Sequence, residues 1–101
     1  MDRFSNLELV NFPEIDEIDN ALVVHQFERF FEKVNLTGDD KLKISVKEYS
    51  KGGLKKQHEI KAHLFLNGAD FSASETNWQL IKTIQDVLKK LEKEVQKSTS
   101  K

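Results

Sequence analysis

Apolar and polar residues alternate strictly from Lys41 to Lys47 and again, with Phe65 as the exception, from Ile60 to Leu66, whereas from Val23 to Val34 and from Ile81 to Val95 apolar residues recur at spacings of three and four. A period of two marks a strand with one buried face, and a period near 3.6 marks an amphipathic helix. In the first alternating run Leu42, Ile44 and Val46 oppose Lys41, Lys43, Ser45 and Lys47; in the second Ile60, Ala62, Leu64 and Leu66 oppose Lys61, His63 and Phe65. The Lys51-Gly52-Gly53-Leu54-Lys55-Lys56 segment between them reverses the chain. Asn67-Gly68 predicts a second tight turn, because both residue types tolerate positive φ, and a third, short strand follows with Phe71 and Ala73 facing inward.

Two helices and one further strand complete the pattern. Leu7 to Phe12 is apolar enough for a strand and is stopped by Pro13, which cannot donate to a ladder. Asp16, Glu17 and Asp19 then gather where a helix dipole favours acids, and Val23, Phe27, Phe30 and Val34, widened by Val24 and Phe31, form an apolar stripe that ends at Thr37-Gly38-Asp39-Asp40. Ser74 to Asn77 are expected to cap the last helix, with Thr76 and Gln79 as a capping box and Trp78 wedged against the sheet. In that helix Ile81, Ile84, Leu88, Leu91 and Val95 make the apolar stripe. At 100° per residue Lys82, Lys89, Lys90, Lys93 and Lys97 fall on the opposite side, with Asp86 the only acid among them.

The predicted order is βαβββα. Two helices that each hide one face need a sheet to hide it against, so the expected fold is α+β: a two-layer sandwich with an antiparallel-rich four-stranded sheet and two helices on one face. The uncovered sheet face should display Lys41, Lys43, Lys47, Lys61 and His63, with Tyr49 and Phe65. Residues 1–97 are expected to form one domain and residues 98–101 a frayed polar tail.

With 101 residues, 38% of them hydrophobic and 33% charged, one small core is all the chain can build. It contains no cysteine, which removes disulfides and thiolate metal sites, and it lacks the long apolar runs of a leader or a membrane span. The expectation is a soluble, cytoplasmic protein. The net charge of −1 conceals a segregation: residues 1–40 hold ten acids against Arg3, Arg29 and Lys33, whereas residues 41–63 hold seven lysines against Glu48 and Glu59. One basic surface and an anionic partner follow from that asymmetry.

Enzyme chemistry finds little support. Gly52-Gly53 lies in a hairpin rather than a phosphate loop, no serine occupies a nucleophile motif, and His25, His58 and His63 fall on different elements or opposite strand faces. No catalytic residue, cofactor, metal or small-molecule substrate is expected. The lysine ridge of the last helix and the hairpin lysines Lys47, Lys51, Lys55 and Lys56 can instead meet phosphates at several points of a structured RNA. Two alternatives use the same residues differently: a protein-interaction domain working through the acidic first-helix surface, and a generic double-stranded RNA-binding module.

The run Ala62-His63-Leu64-Phe65-Leu66-Asn67-Gly68-Ala69-Asp70-Phe71-Ser72-Ala73-Ser74, followed by Ile84 and by Lys90-Leu91-Glu92-Lys93, resembles the short bacterial ribosome hibernation-promoting factors and the related ribosome-associated inhibitor. The resemblance covers residues 60–97 and extends before them only in element order. It implies a βαβββα domain that binds small-subunit rRNA in the decoding region, across the places of messenger and transfer RNA, and so blocks translation by idle ribosomes under stress. The family's basic positions on the last helix correspond to Lys90, Lys93 and Lys97, and those of its first helix are met here only by Arg29 and Lys33. The dimerisation domain of the longer members has no counterpart, so the chain is expected to be monomeric when free and not to pair ribosomes by itself.

Overall fold

The computed structural model describes residues 4–50 and 56–99. Its elements run β1 (Leu7–Val10), α1 (Glu17–Val34), β2 (Lys41–Ser50), β3 (Lys56–Leu66), β4 (Ala69–Asn77) and α2 (Leu80–Thr99). The four strands form one sheet in the order β1-β2-β3-β4. β1 pairs parallel to β2, with α1 as the crossover, and the other two pairings are antiparallel. The predicted α+β, antiparallel-rich order is therefore the observed one.

Strand alternation decides which side chains are buried. Leu42, Ile44 and Val46 of β2 and Ile60, Ala62, Leu64 and Leu66 of β3 point under the helices, where they meet Val23, Phe27, Phe30 and Val34 of α1 and Ile84, Val87, Leu88, Leu91 and Val95 of α2. Val87 was not in the predicted stripe. It is fully buried because α2 packs on both β3 and β4 while touching α1, which needs a wider apolar arc than one seam. Phe4 closes the α1 side, edge-on to Phe31 with ring centroids 5.2 Å apart.

The ends of α1 follow local chemistry. Asp16 accepts the Asp19 N–H at 2.8 Å as the N-cap, and Asn35 ends the helix in a left-handed conformation with φ 54°. Asp40, nearly buried, then ties the following loop together: it accepts the N–H of Asn67 and both the N–H and hydroxyl of Thr37. These bonds, that of Asn67 first, hold its carboxyl below the usual carboxylate range.

Two expectations at the β4–α2 junction are corrected. β4 is not short: Ser74 to Asn77 continue the strand, with His58 opposite Asn77 and Glu59 opposite Thr76. The ladder offered by the long β3 outweighs the local capping preference of these residues, so Thr76 caps nothing. Trp78 is not a wedge but 46% exposed, and Leu80 and Ile81 pack against the core in its place. The helix begins with the Thr83 N–H bonding to the Gln79 carbonyl, and the buried Thr83 hydroxyl donates to the same oxygen at 2.6 Å. At its other end α2 continues to Thr99, two residues into the expected tail.

Candidate nucleic-acid interface

The helical layer carries most of the cations singled out in the sequence. α1 and α2 run in the same direction, Asp19 and Leu80 lining one depression near their starts and Lys33 lying 3.6 Å from Glu92 further along. Between them lies a groove of about 300 Å³ floored by Phe30 and Leu88 and flanked by Arg29, Lys33 and Lys89. Glu28 and Glu32 do not line it, whereas Glu92 does, 3.6 Å from the Lys33 ammonium.

On the far side of α2 a second groove runs along β4, lined by Lys90, Lys93 and Lys97 with Ser72 and Ser74. Its cations are not equivalent. The Lys90 ammonium lies 2.7 Å from the Glu75 carboxylate and donates to the Ser74 carbonyl at 3.0 Å, so its charge is already compensated. Lys97 lies 3.7 Å from Glu94, and Lys82 pairs with Asp86 at 3.2 Å. Among the described residues Arg29, Lys89 and Lys93 form no ion pair. Lys89 and Lys93 are one helical turn apart and exposed, and they join the two grooves across the crest of α2.

Of the hairpin lysines, Lys47 and Lys56 do not share this surface. Lys51 and Lys55 lie outside the described residues, as does the Gly52-Gly53 reversal. Lys47 stands on the uncovered sheet face, 5.3 Å above the Tyr49 ring, and Lys56 projects from the opposite face, 3.7 Å from Glu48. The depression that Lys56 borders also holds Glu14, Asp19 and Glu48, an unfavourable setting for a phosphate.

The uncovered sheet face displays the basic residues expected of it, of which Lys47 belongs to the RNA-binding set predicted from the sequence. Lys41, Lys43, Lys47 and Lys61 are exposed there, together with His63 and a Phe65 that is 41% exposed. The His63 Nε2 lies 2.8 Å from Asp70 Oδ1. The signal for this face was the alternation itself, since every residue opposite a core position in β2 and β3 must point to it. Elsewhere, no group of three or more histidine or acidic side chains among the described residues can hold a metal ion, and no helix is long and apolar enough to cross a membrane.

A small mixed sheet with two parallel helices over one face is a fold shared with solved structures. One is a ribosomal subunit interface protein from Coxiella burnetii, with TM-score 0.65 and 16% identity over 94% of this chain and 98% of that one. Another is the N-terminal domain of Protein Y from Thermus thermophilus, with TM-score 0.53 and 23% identity over 91% and 93%. The chain therefore has the fold of these proteins over more than nine tenths of its length. No family model matches the chain, and no curated protein matches it in sequence.

Proposed function

We propose that the chain is a ribosome stasis factor that binds the small ribosomal subunit through rRNA in the decoding region and keeps idle ribosomes from translating. It acts by binding and not by catalysis, in the cytoplasm, as a monomer when free. The observation that carries this reading is the trio Arg29, Lys89 and Lys93, which form no ion pair among the described residues, on the helical layer of a fold that the ribosomal subunit interface protein shares. Exposed cations lacking an internal partner keep their full attraction for phosphates, whereas Lys90 must first give up Glu75. The resemblance of residues 60–97 to the hibernation-promoting factors points the same way.

The test is cosedimentation with purified small subunits at rising salt. The chain should pellet with the subunits at low salt, detach steeply as salt rises, and compete with messenger and transfer RNA. Replacing Lys89 and Lys93 together by glutamate should weaken binding about tenfold or more and flatten the salt dependence by about one unit of slope per lost phosphate contact. Undiminished binding by that variant would overturn the role of α2.

One observation favours a second reading as a protein-interaction domain. Ile18 and Leu22, one turn apart on α1, are 75% and 50% exposed beside Glu17 and Asp19. A protein partner retained at high salt and after RNase treatment would support that reading.

A further inference from the structure

The sheet face turned away from the helices is a second surface of different chemistry, and Arg29, Lys89 and Lys93 do not lie on it. Its centre is a shallow depression of about 510 Å³ bordered by Lys43, Lys61 and His63 and by the hydroxyl-bearing Ser45, Ser72 and Ser74. Register fixes the arrangement: Lys41 stands opposite Phe65, Lys43 opposite His63, Ser45 opposite Lys61, and Lys61 opposite Ser74. Phe65, His63 and Lys61 therefore follow one another along β3 at intervals of about 6.6 Å.

The charges on this face are unevenly committed. Among the described residues Lys41, Lys43 and Lys61 form no ion pair, whereas Asp70 is held by His63 and Glu59 accepts from the Tyr49 hydroxyl. Glu8, on edge strand β1 and opposite Lys43, is the remaining acid. Phe65 is an exposed ring at the end of this lysine row. Cations flanking an exposed ring on a sheet fit a ligand that offers both negative charge and flat apolar faces. A purely acidic peptide such as polyglutamate offers only the first, and a duplex hides its base faces in the stack.

We infer that the open sheet face binds single-stranded RNA, with a base stacked on Phe65, phosphates met by Lys41, Lys43 and Lys61, and ribose hydroxyls within reach of Ser72 and Ser74. Ser72 and Ser74 also border the α2 groove, but Lys41, Lys43, Lys61 and Phe65 do not, so the inference does not depend on α2 contacting the ribosome. It supplies a second contact by which the folded chain could hold an unpaired RNA segment while its helices hold structured RNA.

The experiment is fluorescence anisotropy of the full chain with a labelled oligouridylate of about 12 nucleotides, a duplex RNA of equal length and a polyglutamate peptide. The single strand should bind most tightly. Phe65→Ala should weaken it about tenfold, Phe65→Leu nearly as much because it keeps apolar area but no ring, and Lys43→Glu with Lys61→Glu should abolish it. All three positions are exposed, and unchanged circular dichroism melts will show that the variants remain folded. Lys89→Glu with Lys93→Glu should leave oligouridylate binding intact while losing the small subunit, which separates this surface from the helical one. Equal affinity for the duplex or for polyglutamate, or unchanged binding by the Phe65 and lysine variants, would overturn the inference.

Discussion

The Asp40 carboxylate and the Asn67 backbone N–H, 27 positions apart in sequence, meet at 2.9 Å and lock the loop after α1 to the turn between β3 and β4. The second oxygen of the same carboxylate takes the Thr37 N–H at 2.9 Å, so one side chain satisfies donors of two loops. Because these bonds hold the carboxyl below its ordinary range, it releases its proton more readily in the folded chain than in the unfolded one. Its contribution to stability is complete above about pH 4, the ordinary carboxylate range, and is lost as pH falls through and below that range. Thermal melts of wild type and Asp40→Ala should differ clearly at pH 7 and converge in acid. A difference independent of pH would show that the ionised carboxylate is not the stabilising form.

Leu64 and Phe65 are neighbours in β3 with opposite fates, one fully buried and the other 41% exposed. Leu64→Ala should cost about 2–5 kcal/mol, a large share of the stability of a domain this small, whereas Phe65→Ala should cost about 1 kcal/mol or less. Urea denaturation measures both. A Phe65→Ala loss as large as that of Leu64→Ala would mean that Phe65 packs inward.

Gly68 adopts φ 79° in the Asn67-Gly68 turn, where Asn67 itself has φ 52°. A Cβ built at Gly68 would touch nothing within 4 Å, so any penalty of Gly68→Ala is conformational, and about 1 kcal/mol is expected. Gly38 is equally uncrowded and is not in the left-handed region. Gly38→Ala should therefore be neutral or stabilise by about 0.4–1 kcal/mol. Opposite signs in denaturant melts are the readout, and two losses of equal size would contradict the backbone argument.

Lys90 and Lys93 are close on α2 but differ in partner. Lys90→Ala removes an exposed pair with Glu75 and should shift stability by less than about 1 kcal/mol. In small-subunit cosedimentation it should matter less than Lys93→Ala, because Lys93 has no carboxylate partner among the described residues. The reverse order would mean that Lys90 leaves Glu75 when RNA arrives.

The elements and their inward faces were legible in the sequence because periodicity is local. Alternation at Leu42, Ile44 and Val46, and at Ile60 to Leu66, depends only on the pleat, and the stripes of α1 and α2 only on the helical turn. The length of β4 was not legible. Ser74 to Asn77 favour caps by local hydrogen bonding, and only the facing edge of β3 makes a strand of them.

Charge divided along the same line. The sequence by itself determined that α2 would carry a lysine face and that the uncovered side of β2 and β3 would be basic, since both follow from which residues cannot be in the core. Only the tertiary structure decided which of those lysines remain uncompensated. Glu75 reaches Lys90 because β4 runs beside α2, and Arg29 and Lys33 share a groove with Lys89 and Glu92 because α1 lies alongside α2. The physical reason is that burial is set by a residue's own periodic position, whereas the attraction between two charges depends on the distance between elements, which the packing of the core sets.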